Sequence, residues 1–344
     1  MAQASIVVIG ASAGGVSALR ALVAGLPEGF SAPILVVLHT GAHPSTLPGL
    51  LNAVGALSAK HAEDGETIQP GTIYVAPPDR HMTVAGRRLR LSRGPKENWA
   101  RPAIDPLFRS AAAAYGAGVV GIILTGNLND GTTGLLEIKR QGGIAIAQDP
   151  VEAAYPEMPG SAASHVPLDY CLPVLQIAKL LVEVFERKDG GEAAMPNDDS
   201  RPSASPERLA DAVFERPVAM TCPECGGALR RHEVGSIVKF DCHIGHSYTA
   251  EVMALAHFDE LERVMRAAVR FLNERAEFCL QMAEHAESAG TKSANWHAAS
   301  RQALDRAYKL RDLVEQDWIT PEAADPATST DEDRLVAATA TDWN

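Results

Sequence analysis

A chain of 344 residues, 46% hydrophobic and 22% charged, is long for a single domain and too apolar for a disordered polymer, so two domains and one sizeable core are expected. Its formal net charge of -12, unrelieved by any long Lys/Arg run, argues against a large phosphate-binding surface and so against a nucleic-acid partner. Met1 to Gly10 carries neither a basic leader nor an apolar run long enough for a signal peptide or membrane span, so a cytoplasmic protein without membrane insertion is expected.

From residue 5 to about 186, short β-branched runs alternate with helical patterns. Ile6 to Ile9, Ile34 to Leu38, Thr72 to Val75, Val119 to Leu124 and Ile144 to Ala147 read as buried strands. Val16 to Leu26, Pro106 to Tyr115, Gly134 to Gln141 and Leu172 to Phe185 read as helices. Such alternation implies an α/β fold, a doubly wound and mainly parallel sheet with crossover helices. Met82 to Leu91, alternating around Ala85-Gly86, reads as a hairpin added to that sheet.

Residues 187–217 read as a linker, richest in Gly, Pro, Ser and Asp up to residue 208. A Cys/His module over 218–248 follows, then a helical hairpin over 249–319 and a disordered tail over 320–344. The first helix of the hairpin carries Phe258, Leu261, Met265, Ala268, Leu272, Cys279 and Met282 at three-four spacing, interrupted at Arg275. The second carries Trp296, Ala299, Ala303, Leu310 and Leu313, with Arg306 at one seam position. An antiparallel pair buries both stripes, and an oligomeric bundle is the alternative.

Gly10-Ala11-Ser12-Ala13-Gly14-Gly15 follows the first strand and opens the first helix. It fits G-x-S-x-G, a turn that presents a serine hydroxyl and aims the next N–H, here that of Ala13, at an oxyanion. A Gly-rich dinucleotide turn is the competing reading. Against it, Ser12 replaces the middle Gly, and the second strand ends in His39 where a ribose-binding acid is expected. Ser12, His39 and Asp130 all follow buried strands, the edge where open α/β sheets bind ligands. A serine nucleophile needs a base, and the base needs a group to hold its tautomer.

Those residues, with Val36-Val37-Leu38-His39, Ala62-Glu63-Asp64-Gly65-Glu66, Tyr74-Val75-Ala76-Pro77-Pro78-Asp79-Arg80-His81-Met82, Arg101-Pro102-Ala103-Ile104-Asp105-Pro106-Leu107-Phe108-Arg109-Ser110, Gly121-Ile122-Ile123-Leu124-Thr125-Gly126 and Ala147-Gln148-Asp149, run in one order across residues 5 to about 186. In that order they resemble the chemotaxis protein-glutamate methylesterases of the CheB type. The resemblance implies Ser12 as nucleophile, His39 as general base and Asp130 as its orienting acid. It also implies glutamyl methyl esters of chemoreceptor cytoplasmic helices as substrates, methanol as product, no catalytic cofactor, and in some members glutamine deamidation. Two departures stand out: Ala13 replaces a hydroxyl residue, and Gly126-Asn127-Leu128-Asn129-Asp130-Gly131 replaces Gly-Met-Gly-x-Asp-Gly. With its first strand at residue 6, the chain is expected to lack the upstream receiver domain and phosphorylation control in cis. A non-catalytic adaptor that keeps the fold and binds a partner is the alternative function.

Cys222-Pro223-Glu224-Cys225, followed by Cys242, His243 and His246, has the spacing of a structural zinc site. Cys222, Cys225, Cys242 and His246 are the expected ligands, with His243 as alternative fourth; a zinc-ribbon-like module separable from the chemistry is expected. Cys171 and Cys279 read as buried structural thiols. His43, His61 and His165 read as surface or supporting groups, and Asp79, His81 and Arg101 as substrate-facing or loop-anchoring.

Overall fold

The computed structural model describes residues 5–186 and 220–316. The expected linker, 187–217, and tail, 320–344, therefore fall outside the described residues. The chain divides into two compact units, Met1–Met253 and Ala254–Asn344.

In the first unit, β1 (Ile6–Ala11), α1 (Gly15–Ala24), β2 (Ile34–Leu38), α2 (Leu47–Asn52), β3 (Ser58–His61) and β4 (Thr72–Val75) form one half of a sheet with its covering helices. The hairpin β5 (His81–Ala85) and β6 (Arg88–Ser92) precedes α3 (Ile104–Tyr115), and β7 (Val119–Ile123), α4 (Thr132–Arg140), β8 (Ile144–Gln148), α5 (Glu157–His165), β9 (Tyr170–Leu172) and α6 (Val174–Glu186) complete the other half. The seven strands run in the order β3-β4-β2-β1-β7-β8-β9, and every pairing is parallel. From β1 the chain moves to β2 and on to the edge strand β3, steps back in to β4, and then crosses to the other side of β1 at β7. The reversal lies between β1 and β7, where doubly wound sheets open a ligand crevice at the strands' carboxyl ends.

Both faces of the sheet are covered, which is why its strands read as unbroken β-branched runs. Val7, Ile9, Ile34, Val36, Val120 and Ile122 pack against Leu19, Leu22, Ile177 and Leu181 of α1 and α6. Ile6, Val8, Leu35, Val37 and Ile123 pack on the opposite face against Leu107, Phe108, Leu135 and Ile138 of α3 and α4. α1 buries Gly15, Ala18, Leu19, Leu22 and Val23, the three-four spacing of a single apolar stripe.

The hairpin forms where alternation predicts it, but as a separate two-stranded sheet. Its inward side chains Met82, Val84 and Leu89 join the α3 layer, and the Val84 N–H bonds Ser110 Oγ of α3 at 3.0 Å. Cys171 is exposed, against expectation, because β9 is the last strand of the sheet; Cys279 is buried.

β10 (Leu229–Val234), β11 (Ile237–Cys242) and β12 (Ser247–Thr249) form an antiparallel three-stranded sheet. These residues belong to the same compact unit as the α/β layers. The first unit ends in the opening turn of α7 (Ala250–Ser288).

In the second unit, the rest of α7 turns back into α8 (Ala294–Val314). Phe278 and Trp296 meet edge to face near the turn, and Phe258 and Met265 share a small cavity with Val314, so the helices run antiparallel. The buried seam is narrower than predicted. Met265, Ala276, Cys279, Ala283, Ala303 and Ala307 are buried, while Leu261, Trp296 and Leu313 are exposed.

Candidate active site

Ser12 leaves β1 on a turn that both neighbouring strands hold. Its N–H bonds Thr125 O at 3.0 Å beyond β7, and His39 N–H bonds Ala11 O at 3.2 Å beyond β2. Gly14 at φ 74 caps α1 in the left-handed region, a conformation that strains residues with a Cβ. Gly126 allows close approach, since a Cβ there would lie 2.7 Å from Ser12 Cβ and 2.2 Å from Met158 Sδ. Thr125 locks the turn through Oγ1, which donates to Ala13 O at 3.1 Å and accepts Tyr155 N–H at 2.8 Å.

These strand ends bring Ser12, His39 and Asp130 together. His39 Nδ1 lies 3.2 Å from Ser12 Oγ, and Nε2 lies 2.8 Å from Asp130 Oδ2. A carboxylate only accepts, so the proton of neutral His39 sits on Nε2 and leaves Nδ1 to accept from the serine hydroxyl. His39 is partly exposed at 19%, whereas Asp130 is 3% exposed.

The Asp130 carboxylate occupies the N-terminus of α3. Oδ2 accepts Ile104 N–H at 2.6 Å and Oδ1 accepts Asp105 N–H at 3.4 Å, a placement the helix dipole favours. Asn98 Nδ2 donates to Oδ1 at 2.9 Å. Burial, the largest influence, acts to raise this carboxyl, but the His39 hydrogen bond and charge, with the Ile104 N–H and Asn98 amide, outweigh it and hold the pKa below the ordinary carboxylate range. Asp130 is therefore held as a carboxylate beside His39 Nε2.

A cleft of about 470 Å³ opens beside His39 and is lined by Asp79, Trp99, Arg101 and Leu128 among others. Arg101 Nη2 pairs with Asp79 Oδ1 at 2.7 Å, so both residues line the cleft and anchor its rim. His81 is buried, bonding Pro95 O and Ala103 N–H as a loop anchor. His61 and His165 bond backbone carbonyls, and His43 is exposed. Ala13 N–H has no hydrogen-bond partner among the described residues. Sequence reasoning missed Asn98, whose position ahead of the Arg101-Pro102 motif carries no signal of its contact with Asp130.

A second cluster gathers Cys222, Cys225, Cys242 and His246, with all four donor atoms within 4.8 Å of one another. Cys225 and Cys242 sulfurs are 3.7 Å apart, and His246 Nδ1 lies 3.7 Å from Cys222 Sγ and 3.4 Å from Cys242 Sγ. Gly226 at φ 69 and Gly245 at φ 107 turn the two ligand loops. His246 N–H points to Cys242 Sγ at 3.3 Å, and His246 Nε2 faces Glu224 Oε2 at 3.6 Å. His243 is not in the cluster.

The CheB methylesterase family model matches residues 7–181. A protein-glutamate methylesterase/protein-glutamine glutaminase of Caulobacter vibrioides is 41% identical over 177 residues, covering 50% of this chain and 51% of that protein. A Leptospira interrogans protein with the same pair of activities in its name is 38% identical over 180 residues, covering 52% of this chain and 93% of that protein. The chain thus spans about half the length of the Caulobacter relative. The crystal structure of the Thermotoga maritima CheB methylesterase catalytic domain matches with a TM-score of 0.51 at 36% identity, over 53% of this chain and 99% of that domain. Among the described residues no helix is long and apolar enough to cross a membrane. With half its length matched, including the strand ends that carry Ser12, His39 and Asp130, the chain belongs to the CheB methylesterase family.

Proposed function

We propose that the protein hydrolyses glutamyl 5-O-methyl esters on receptor-like proteins with Ser12, His39 and Asp130 as its catalytic triad. The observation that carries this reading is the hydrogen-bonded chain Ser12–His39–Asp130 at the sheet's reversal point, with distances of 3.2 and 2.8 Å. Ser12 Oγ attacks the ester carbonyl as His39 Nδ1 takes its proton, and Asp130 stabilises the resulting imidazolium. The Ala13 N–H is the backbone donor for the developing oxyanion. Collapse transfers the His39 proton to methoxide and releases methanol. Water, deprotonated by His39, then attacks the acyl-enzyme and leaves glutamate and free Ser12. The same attack on a glutamine side chain releases ammonia, which supports deamidation as a secondary activity.

Cys222, Cys225, Cys242 and His246 are read as holding a structural zinc, with no metal taking part in the hydrolysis. A tetrahedral site with Zn–S near 2.3 Å requires donor separations of about 3.8 Å; three donor pairs here lie 3.4 to 3.7 Å apart, and all four donors lie within 4.8 Å of one another. Zinc at this site would supply folding free energy. Glu224 would steady His246 through Nε2.

The decisive experiment incubates wild-type and Ser12→Ala protein with methylated receptor fragments and follows methanol release and the corresponding mass loss. Turnover should vanish in the variant while its circular dichroism is unchanged. Unchanged methanol release would remove Ser12 from the mechanism.

A further inference from the structure

The Cys/His module lies outside the residues matched by the family model, yet it closes on the carboxylate that orients His39. β12 begins at the residue after His246. Ser247 O accepts Asn98 N–H at 2.7 Å, and Ser247 N–H donates to Lys96 O at 3.3 Å. Two residues on, Thr249 N–H donates to Asn98 Oδ1 at 3.1 Å, and Thr249 Oγ1 donates to Asn129 Oδ1 at 2.8 Å. Lys96 Nζ also reaches Glu224 at 3.4 Å, the carboxylate that faces His246.

Asn98 is thus gripped by β12 at its backbone and its side chain, while it is buried and held at φ 49. Because the Thr249 N–H needs an acceptor, Oδ1 must face β12 and Nδ2 must face the interior. There Nδ2 meets Asp130 Oδ1 at 2.9 Å and Asp105 Oδ2 at 3.3 Å. Without β12, the amide loses the contact that selects this orientation, and its flip would turn an oxygen toward two carboxylates. β11 adds a cation to the same pair through Lys239, whose buried Nζ lies 3.4 Å from Asp105 Oδ2.

From these contacts we propose that the Cys/His module is a positioning element of the hydrolytic site: the metal-loaded ligand loop fixes β12, β12 orients the Asn98 amide, and Asn98 holds Asp130 against His39. The inference rests on the triad reading and adds a dependence on residues 220–249 that the matched residues do not contain. Asn98 and Thr249 are positioning residues, because neither touches the reacting atoms.

The test uses the full-length chain with zinc bound, after zinc removal by a chelator and after zinc is restored, alongside Thr249→Pro, which removes the N–H that bonds Asn98 Oδ1, Asn98→Ala and Ser12→Ala with zinc bound. The probe is a helical peptide carrying one glutamyl methyl ester. Three quantities are read: kcat and KM for methanol release, zinc per chain, and the downfield proton resonance of His39 Nε2–H. Zinc removal, Thr249→Pro and Asn98→Ala should each lower kcat about 10-fold or more, the scale seen when a group that orients a ligand or base is lost. KM should stay nearly constant and the His39 resonance should shift or broaden; zinc addition should restore both in the zinc-free chain. Wild-type kcat with an unmoved resonance in zinc-bound Thr249→Pro or Asn98→Ala, or in a folded zinc-free chain, overturns the proposal. If zinc removal unfolds the chain, the zinc-bound variants decide; if neither variant folds, Asn98→Ser is read by the same criteria. Failure of the triad reading is separate, since it would appear as turnover by Ser12→Ala.

Discussion

The backbone N–H of Ile104 donates to Asp130 Oδ2 at 2.6 Å, the same oxygen that receives His39 Nε2. One carboxylate thus holds the His39 ring and caps α3. Asp130→Asn keeps an oxygen for these donors but removes the charge that stabilises imidazolium, so kcat should fall on the order of 10³ to 10⁴-fold with little change in substrate affinity. Asp130→Ala should abolish turnover and also destabilise the fold by about 1–3 kcal/mol, because buried donors at Ile104 and Asn98 lose their acceptor. Steady-state kinetics and urea denaturation of the two variants separate the roles.

The same carboxylate gives the acid limb of stability a definite sign. Its folded pKa is depressed, against about 3.9 for an unfolded Asp. Its contribution is therefore fully present above about pH 4 and is lost as the pH falls through the lower folded value. Asp130→Asn has no such contribution. The stability gap between wild type and this variant should be present at pH 5 and shrink below about pH 4, read from urea midpoints at both pH values. A gap that grew on acidification would mean that the carboxyl is not held ionised by its surroundings.

Gly126 sets how closely the β7 loop approaches the nucleophile. A Cβ there would meet Met158 Sδ at 2.2 Å and Ser12 Cβ at 2.7 Å; Met158 has rotamers with which to yield, but Ser12 Cβ sits on the turn itself. Gly126→Ala should displace Ser12 and lower kcat by roughly 10²-fold, the scale expected of an ångström-sized misplacement. Adding Met158→Ala should not restore it. Recovery in that double variant would assign the effect to the Met158 contact.

That Ser12, His39 and Asp130 share one sheet edge was legible because each follows a run whose β-branching marks a doubly covered strand. The edge strand β3 was not, since Ser58–His61 alternates exposed and buried residues at the sheet's margin. β9 escaped notice for a similar reason and left Cys171 on the surface. Asn98, Lys239 and Thr249 are illegible for a different reason. Their partners lie 134 residues apart for Lys239 and Asp105, and 151 for Thr249 and Asn98, so local periodicity contains no trace of them. The expectation of a module separable from the chemistry rests on a ligand set with no open coordination position and on linker composition, and neither carries information on where the chain beyond the linker packs.

Asn127 and Leu128 are where the loop departs from the family's Gly-Met-Gly-x-Asp-Gly pattern, and Leu128 adopts φ 63. A non-glycine side chain in that region costs on the order of 1–3 kcal/mol, while glycine costs roughly 0.5–1 kcal/mol in chain entropy. Leu128→Gly should therefore leave stability equal or slightly raised, and Leu128→Val should lower it because β-branching worsens the clash. Since Leu128 also lines the cleft beside His39, kcat/KM for bulky substrates should respond to the glycine variant more than stability does. Thermal midpoints and kinetics on two peptide substrates check both statements.

Lys239 carries a charge into the interior at 5% side-chain exposure to meet Asp105, which is fully buried. Asp105 also accepts Thr133 Oγ1, Gly134 N–H at 2.7 Å and Asn98 Nδ2, so its oxygens are well bonded, and its charge meets the Lys239 ammonium while the Arg109 guanidinium also acts on it. Removing one partner of a buried pair costs about 3–5 kcal/mol, because the remaining charge stays desolvated. Lys239→Met, which keeps the length of the side chain, should destabilise the first unit by about that amount, with the low end favoured by the three remaining donors. Lys239→Met combined with Asp105→Leu would lose the donor contacts of Asp105 but leave no buried charge, so it should be less destabilised than the sum of the single variants. Urea denaturation of the four proteins gives this coupling. Additive losses would mean that the Lys239 ammonium and the Asp105 carboxylate are neighbours without electrostatic coupling.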